Sequence, residues 1–178
     1  MAATFLIANI TGAGAASADV TSGSVTAGTS DEATSPSAIP VPPSGSNHSY
    51  WQTYHPVVTV APDNAVNNLK FYTDGTNSLG TGITAIIAEA SGYVVATGAA
   101  GSSGSVLVSG NHAGLTNDGA TSDLFLYTSS CKLPVAGSIG PTTGCVGDEH
   151  VVIQLSVIST AGAGNSSEET MTWEFDET

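Results

Sequence analysis

Four histidines are the side chains of this sequence best suited to proton transfer, and they stand at His48, His55, His112 and His150. Serine is so common in the chain that Ser-His-Asp combinations arise by chance. No Gly-x-Ser-x-Gly segment occurs, the sharp turn that presents a nucleophilic serine in α/β-hydrolases. We therefore expect no nucleophilic catalysis, a protein that is not an enzyme, and no cofactor.

Paired carboxylates are the second possible source of chemistry. The pairs are Asp148 with Glu149, Glu168 with Glu169, and Glu174 with Asp176. Adjacent residues on a strand point to opposite faces, so the first two pairs cannot converge on one substrate. The third pair shares a strand face opposite Trp173, where a solvated surface is the simpler interpretation. The pattern favours structural acids over an acid–base pair.

Two loops have the oxygen-rich composition of calcium sites, residues 74–77 (Asp-Gly-Thr-Asn) and residues 117–119 (Asn-Asp-Gly). Neither has the ligand spacing of an EF-hand loop. Turn formation alone explains Asp-Gly and Asn-Asp-Gly sequences. We therefore predict no metal site.

The two cysteines, Cys131 and Cys145, could form a disulfide. Such a bridge would stabilise the folded state by about 3 kcal/mol in the chain-entropy model, because it restricts the unfolded chain. The alternative is two unrelated, buried thiols, and the sequence leaves both open. Two cysteines without a Cys-x-x-Cys spacing would fill only half of a zinc coordination sphere.

The charge of the chain is strongly one-sided. It has 15 acidic residues, only two lysines, Lys70 and Lys132, no arginine, and a formal net charge of −13. Phosphate backbones and anionic lipid would repel this surface, so we expect neither nucleic-acid binding nor a membrane role. Lys70 lies opposite Leu69 and Phe71 in the strand pattern, where it can pair with an acid on a neighbouring strand or subunit.

The uncharged part of the surface favours assembly. A surface of hydroxyls and small side chains loses few hydrated charges when a neighbouring copy covers it. Lysine is also the residue that most often protects sheet edges, and here it is scarce. We therefore expect a homo-oligomer.

The elements that must position these residues are strands. Residues 150–159 and 168–176 alternate apolar and polar side chains, and the small, glycine-rich connector between them predicts an antiparallel hairpin. Further strand patterns cover residues 3–10, 56–60, 66–73, 82–88, 92–97, 104–109, 123–128 and 133–136. Turn signals separate them, so we predict an all-β fold, an antiparallel β-sandwich of jelly-roll or immunoglobulin-like type.

The first 49 residues differ in composition from the rest. A strand at residues 3–10 is followed, at residues 29–49, by a Ser/Thr/Pro-rich stretch that favours an extended path. We predict an N-terminal strand and arm (1–49) and a sandwich domain (50–178). The residues expected to contact neighbouring copies are Phe5, Leu6, Ile7, Ile39, Pro40 and Val41. The first residues lack the cationic region of a signal peptide, so we expect synthesis in a cytoplasm.

Aromatic residues cluster where the predicted sandwich begins, at Tyr50, Trp51 and Tyr54. Burial in the core is the more common role of such rings. The alternative is a stacking platform for a ligand, which would fit a receptor- or glycan-binding module.

Three segments carry a resemblance to a known group of proteins: Tyr50-Trp-Gln-Thr-Tyr-His-Pro, Asn68-Leu-Lys-Phe-Tyr-Thr-Asp-Gly-Thr and Met171-Thr-Trp-Glu-Phe-Asp-Glu-Thr178. Together they resemble uncharacterised bacteriophage virion proteins built as small β-sandwiches. The resemblance implies a structural component of a virus particle, such as a capsid decoration (cement) protein or a fibre or tail protein. It also implies location in the virion and contact with other virion proteins.

Overall fold

The structure, a computed structural model, describes residues 2–107, 121–148 and 150–178. These residues form thirteen β-strands and one short 3₁₀ helix, Leu124–Leu126. The strands are β1 (Thr4–Thr11), β2 (Ala16–Asp19), β3 (Ser46–His48), β4 (Gln52–Val60), β5 (Val66–Tyr72), β6 (Ile83–Ala90), β7 (Gly98–Ala99), β8 (Ser103–Gly104), β9 (Ser122–Asp123), β10 (Leu133–Pro134), β11 (Gly144–Cys145), β12 (His150–Ile158) and β13 (Thr172–Glu177). The described part of the chain has no helix long and apolar enough to cross a membrane.

The strands form two unequal layers, and every named strand pair is antiparallel. The large sheet has the order β2-β1-β4-β12-β6-β9, with β3 added beside β12 and β11 beside β4. The small sheet has the order β10-β5-β13, and β7 and β8 form a separate hairpin. The predicted all-β, antiparallel sandwich is thus confirmed.

The main core lies between the two sheets. On the inner face of the large sheet, Tyr54, Val58, Val151 and Ile153 are buried. They belong to the same cluster as the buried residues of the small sheet, which are Val66, Leu69, Phe71 and Leu133. Aromatic and β-branched side chains dominate these strands, as expected for a pleated surface with one face packed on another layer.

The outer face of the large sheet is also buried over its central strands. A second cluster there contains Tyr50, Trp51, Ala88, Ala96 and Val152. Residues 91–107, which hold the β7–β8 hairpin but no longer strand, supply part of this cover. The pattern of residues 92–97 predicted a strand, and that prediction is wrong.

Close backbone contact holds the β7–β8 hairpin against the sheet. A Cβ atom on Gly104 would lie 2.2 Å from the Ser49 carbonyl oxygen, and one on Gly98 would lie 2.5 Å from the Gly104 Cα. Only residues without a side chain fit at these two positions.

The predicted hairpin of residues 150–159 and 168–176 is wrong. β12 pairs with β3, β4 and β6 in the large sheet, whereas β13 pairs with β5 in the small sheet. The connector therefore crosses between layers instead of turning within one. Both strands keep an apolar side toward the same core, which is why their alternation resembled that of paired neighbours.

The extended N-terminal arm is not found. β1 pairs with β4 from Thr4 to Ile10, so the N-terminal strand is a member of the large sheet. The Pro-rich stretch folds back on the molecule, where the Thr29 N–H donates to the Ser37 carbonyl and the Tyr50 N–H donates to the Gly28 carbonyl. Apolar residues on both sides of β1 reflect its place in a sheet that is covered on both faces.

Residues 123–128 were predicted as a strand, but most of this segment is not. The Asp123 side chain accepts a hydrogen bond from the Phe125 N–H and so caps the 3₁₀ helix at Leu124–Leu126. Aspartate at this position favours a helical start over continuation of a strand.

Candidate functional site

One end of the sandwich combines residues from three strands that meet there. Phe5 of β1 packs against Phe175 of β13, with ring centroids 3.8 Å apart, and so joins the two sheets. Val60 lies at the same end, where β4 leaves the sheet opposite Thr4. Val60 and Phe175 remain 38% and 37% exposed. We call Phe5, Val60 and Phe175 the terminal end.

A register shift explains why Phe175 is exposed. The pairing of β13 with β5 is irregular between Glu174 and Asp176, and Asn68 on the partner strand has a φ of 53°. Such a bulge disturbs the alternation of side chains between the two faces. Trp173, before the bulge, packs edge-to-face on buried Phe71 at 5.4 Å.

The opposite end of the sandwich also carries exposed apolar side chains. Ile158, the last residue of β12, pairs with Ser46 and is 42% exposed. Next to it, the Asn47 side-chain amide donates to the Pro40 carbonyl at 2.7 Å, which places Pro40 and Val41 beside β3. We call Ile39, Pro40, Val41 and Ile158 the β3 end.

The residues predicted to contact other copies therefore fall into two groups. Ile39, Pro40 and Val41 lie at the β3 end, where Ile39 is half-buried. Phe5, Leu6 and Ile7 lie in the N-terminal half of β1, and all three are half-buried. Phe5 and Ile7 pack against the main core. Contacts between copies remain a prediction for all six residues.

The two ends are far apart. β4 runs eight steps from Val60 back to Gln52, and β12 runs five further steps from Ile153, opposite Gln52, to Ile158. At about 3.3 Å per step, the ends are separated by roughly 40 Å.

The alternative interpretation, an aromatic platform for a ligand, is wrong. Tyr50, Trp51 and Tyr54 are 8%, 1% and 4% exposed. The Trp51 indole N–H donates to the Val94 carbonyl, and the Tyr50 hydroxyl donates to the Gly98 carbonyl. These rings lie in the two cores and have no free face on which a sugar could stack. The core interpretation of the cluster is confirmed.

The partners of His48 do not form a catalytic triad with it. Its Nδ1 lies 2.7 Å from the Ser156 hydroxyl, and its Nε2 lies 3.3 Å from the Ser46 hydroxyl. Both ring nitrogens thus face hydroxyls, whereas a triad histidine needs a carboxylate on one side. Partial burial lowers the pKa of His48. His112 lies outside the described residues.

The acidic residues make structural contacts. Glu174 binds both lysines of the chain, with Lys132 Nζ at 2.6 Å and Lys70 Nζ at 3.7 Å. The hydrogen bond from Lys132 is the main cause of a lowered pKa at Glu174. Asp176, on the same face, accepts from the Asn68 amide. The predicted pairing of Lys70 with an acid on a neighbouring strand is confirmed.

Both members of a second carboxylate pair, Glu168 and Glu169, also make structural contacts. Glu168 accepts from the Ser24 hydroxyl, and Glu169 accepts from the Ser78 N–H. Asp148 is described and exposed, whereas Glu149 lies outside the described residues.

The oxygen-rich loop at residues 74–77 uses its side chains for turns. Asp74 Oδ1 accepts from the Thr76 N–H, and Asn77 Oδ1 accepts from the Leu79 N–H. Within residues 2–107, 121–148 and 150–178, no group of three or more His, Cys, Asp or Glu side chains is placed to hold a metal ion. The loop at residues 117–119 lies outside the described residues.

Cys131 and Cys145 are both free and both exposed. Buried thiols were one of the two alternatives, and that one is wrong. β10 and the following chain run along β5 from Phe71 (opposite Leu133) to Val66 (opposite Ile139). Cys131 precedes this run, and Cys145 follows it on the other sheet. This separation explains why they do not pair.

The pairing of His55 and His150 was not predicted from the sequence. Their side chains lie in the same row of the large sheet, with His55 Nδ1 2.9 Å from His150 Nε2. No local pattern indicates this contact, because it depends on the register of β4 against β12.

Comparison of the chain with family models, curated proteins and solved structures gives no significant match.

Proposed function

We propose that this chain is a non-enzymatic structural protein of a virus particle, a capsid decoration protein or a fibre or tail component, that works through end-to-end contacts between copies. One observation carries the assembly part of the proposal. Exposed apolar side chains occupy both the terminal end and the β3 end, roughly 40 Å apart along the strands. The virion part rests on the resemblance of residues 50–178 to phage virion proteins.

Burial within the chain supports contacts at the ends. Gln52 to Pro56 in β4 and His150 to Gln154 in β12 are buried on both faces of the large sheet. Among the described residues, the central strands of the large sheet therefore offer a neighbouring copy no face on which to dock. What remains are the ends, the edges of the sheets, and the outer face of the small sheet, which carries the charged Lys70 and Glu174.

The distribution of charge supports contacts between copies at the same two ends. Lys70 and Lys132 are the only lysines of the chain, and both lie beside Glu174 on β13. The named residues of both ends, by contrast, are uncharged. Covering these side chains costs little desolvation, whereas the exposed Asp176 and Glu177 that follow Phe175 stay in water only if they lie outside the contact.

Contacts between two different ends are heterologous. Such contacts build rings if the rotation closes and filaments if it does not. Both outcomes suit a protein that is present in many copies on a shell or along a fibre, because many weak contacts add up to firm attachment.

Single substitutions at each end test the proposal. Deleting residues 1–49 is unsuitable, because it would remove β1, β2 and β3. Ile158→Asp and Phe175→Asp place a charge at the β3 end and the terminal end, and each should weaken self-association at least tenfold. Leu126→Asp is the matched control, because Leu126 is 64% exposed, follows the edge strand β9 and belongs to neither named end.

Light scattering on the folded variants gives the result. The proposal requires that the two end variants lose mass at concentrations where Leu126→Asp does not. Equal masses for all variants would refute end-to-end contacts. Antibodies against the chain should label purified particles if the virion assignment is right.

A further inference from the structure

His55 and His150 are direct neighbours across the β4–β12 ladder. Tyr54 pairs with Val151, so the next step places the two imidazoles opposite each other. Their rings meet edge-to-face with centroids 4.2 Å apart, and they are 2% and 8% exposed. Titratable side chains are rarely this deep without a charged partner.

The positions of the ring protons follow from a backbone carbonyl. The Asp148 carbonyl oxygen can only accept, so the His150 Nδ1–H donates to it at 2.8 Å. Neutral His150 then has a lone pair on Nε2, and the His55 Nδ1–H donates to that lone pair. His55 Nε2 is left buried and makes no hydrogen bond among the described residues, although the Val146 backbone lies close enough to favour protonation of this ring. In this arrangement both rings are neutral. The proton on His150 Nδ1 leaves its Nε2 able to accept, and the proton on His55 Nδ1 is donated to that Nε2.

The pair lies between β11 and β12, which both run beside β4 in the large sheet. β11 pairs with Val57 and Val58, and the Val146 N–H donates to the Pro56 carbonyl at 3.2 Å. Residues 144–146 therefore follow β4 from Val58 to Pro56, and the histidine pair closes this contact at the start of β12.

Among the described residues, the charges that act on the pair are few. The Asp148 carboxylate favours protonation of both rings, and the Cys145 thiol is the titratable side chain of β11. In the same sheet row, β1 and β6 contribute only Ala8 and Ala90. Burial outweighs Asp148 and lowers the pKa of both histidines, and His150 lowers that of His55 further, to about 4.

We infer that His55 and His150 form an acid-sensitive latch, in which the neutral rings hold residues 144–146 against β4 and protonation of both rings releases this segment. Two imidazolium ions cannot share the hydrogen bond between Nδ1 and Nε2, because both atoms would then carry a proton. Like charges 2.9 Å apart in a buried site also repel strongly. The β11 segment, joined to β4 by few bonds, is the element that can move. This inference does not depend on the proposed function.

Hydrogen exchange of the full chain tests the latch. Amide protection at Val58 and Val146, corrected for intrinsic exchange rates, should fall at least tenfold between pH 7.5 and pH 4. Protection of residues 152–155, which pair with β6, should change less. An equal change in both groups would overturn the inference, since it would indicate global acid unfolding.

Variants separate the latch from other acid effects. His55→Gln and His150→Gln cannot acquire charge, so at least one folded variant should lose the selective acid release. His48→Gln is the matched control and should release like the unmodified chain. NMR titration of the unmodified chain should show both rings protonating below the ordinary histidine pKa of 6.5. The inference fails if both rings titrate near 6.5, or if the glutamine variants release as before.

Discussion

The two faces of the large sheet are buried by different means. The inner face packs on the small sheet through aliphatic and aromatic side chains such as Phe71 and Ile153. The outer face is covered in part by residues 91–107, and polar side chains of the sheet form hydrogen bonds with this segment. Gln154, 0% exposed, accepts from the Leu107 N–H and donates to the Ser49 and Ser105 carbonyls.

A sheet face is covered in different ways by another sheet and by an irregular segment. Two sheets satisfy their own backbone groups, so apolar contact is enough to join them. An irregular segment has backbone groups without strand partners, and a buried glutamine can supply both donors and an acceptor. The stability of the inner face should therefore depend on the volume of its buried side chains, and that of the outer face on hydrogen bonds.

The largest expected effect is on the inner face. Phe71→Ala should lower the free energy of unfolding by about 4 kcal/mol, because it removes a fully buried ring and leaves a cavity beside Trp173. Urea denaturation with tryptophan fluorescence measures this. A loss below about 1 kcal/mol would mean that the two sheets are not packed as described.

A smaller effect is expected on the outer face. Gln154→Met keeps the volume but leaves two carbonyls and one N–H without their partner, which should cost about 2 to 3 kcal/mol. The Leu107 amide should lose exchange protection before the main core does. If Gln154→Met lowers exchange protection equally on both faces, the outer face does not depend on these hydrogen bonds more than the inner face does.

Acid should act on the outer face, where His55 and His150 lie. Both folded-state pKa values are below 6.5, and that of His55 is about 4, so the unfolded chain binds more protons in this window. The free energy of unfolding should therefore fall as the pH decreases from 6.5 toward 4, by about 2 kcal/mol. Denaturation of His55→Gln at the same pH values should show a shallower slope. Equal slopes would exclude the pair as the cause.

The smallest effect is expected outside both cores, on the small sheet. Glu174→Gln removes the partner of Lys70 and Lys132, but these groups are solvent-screened. The urea midpoint should move only slightly at low salt and not at all in about 1 M salt. A large shift would show that this ion cluster is part of the fold's stability.

The inner face is the part that the sequence could predict. Alternation in β5 and β12 marks Leu69, Phe71, Val151 and Ile153 as buried, because one side of each strand meets the other sheet. Alternation could not show which strands are neighbours. β12 and β13 both face the same core, and this alone made two strands of different sheets resemble a hairpin.

The outer face was much harder to predict. Gln154 occupies the polar parity of β12 and was expected on a wet face, whereas it is fully buried under an irregular segment. The same cover hides Trp51, which removes it as a ligand platform. Burial of this kind depends on where a loop returns, and no local pattern encodes that position.

Since both faces of the central strands are buried within the molecule, we propose that copies contact one another through their ends. Light scattering of the unmodified chain across a concentration series tests it most directly. We expect a mass above that of one chain that increases with concentration. The mass of a single chain at every concentration would contradict it.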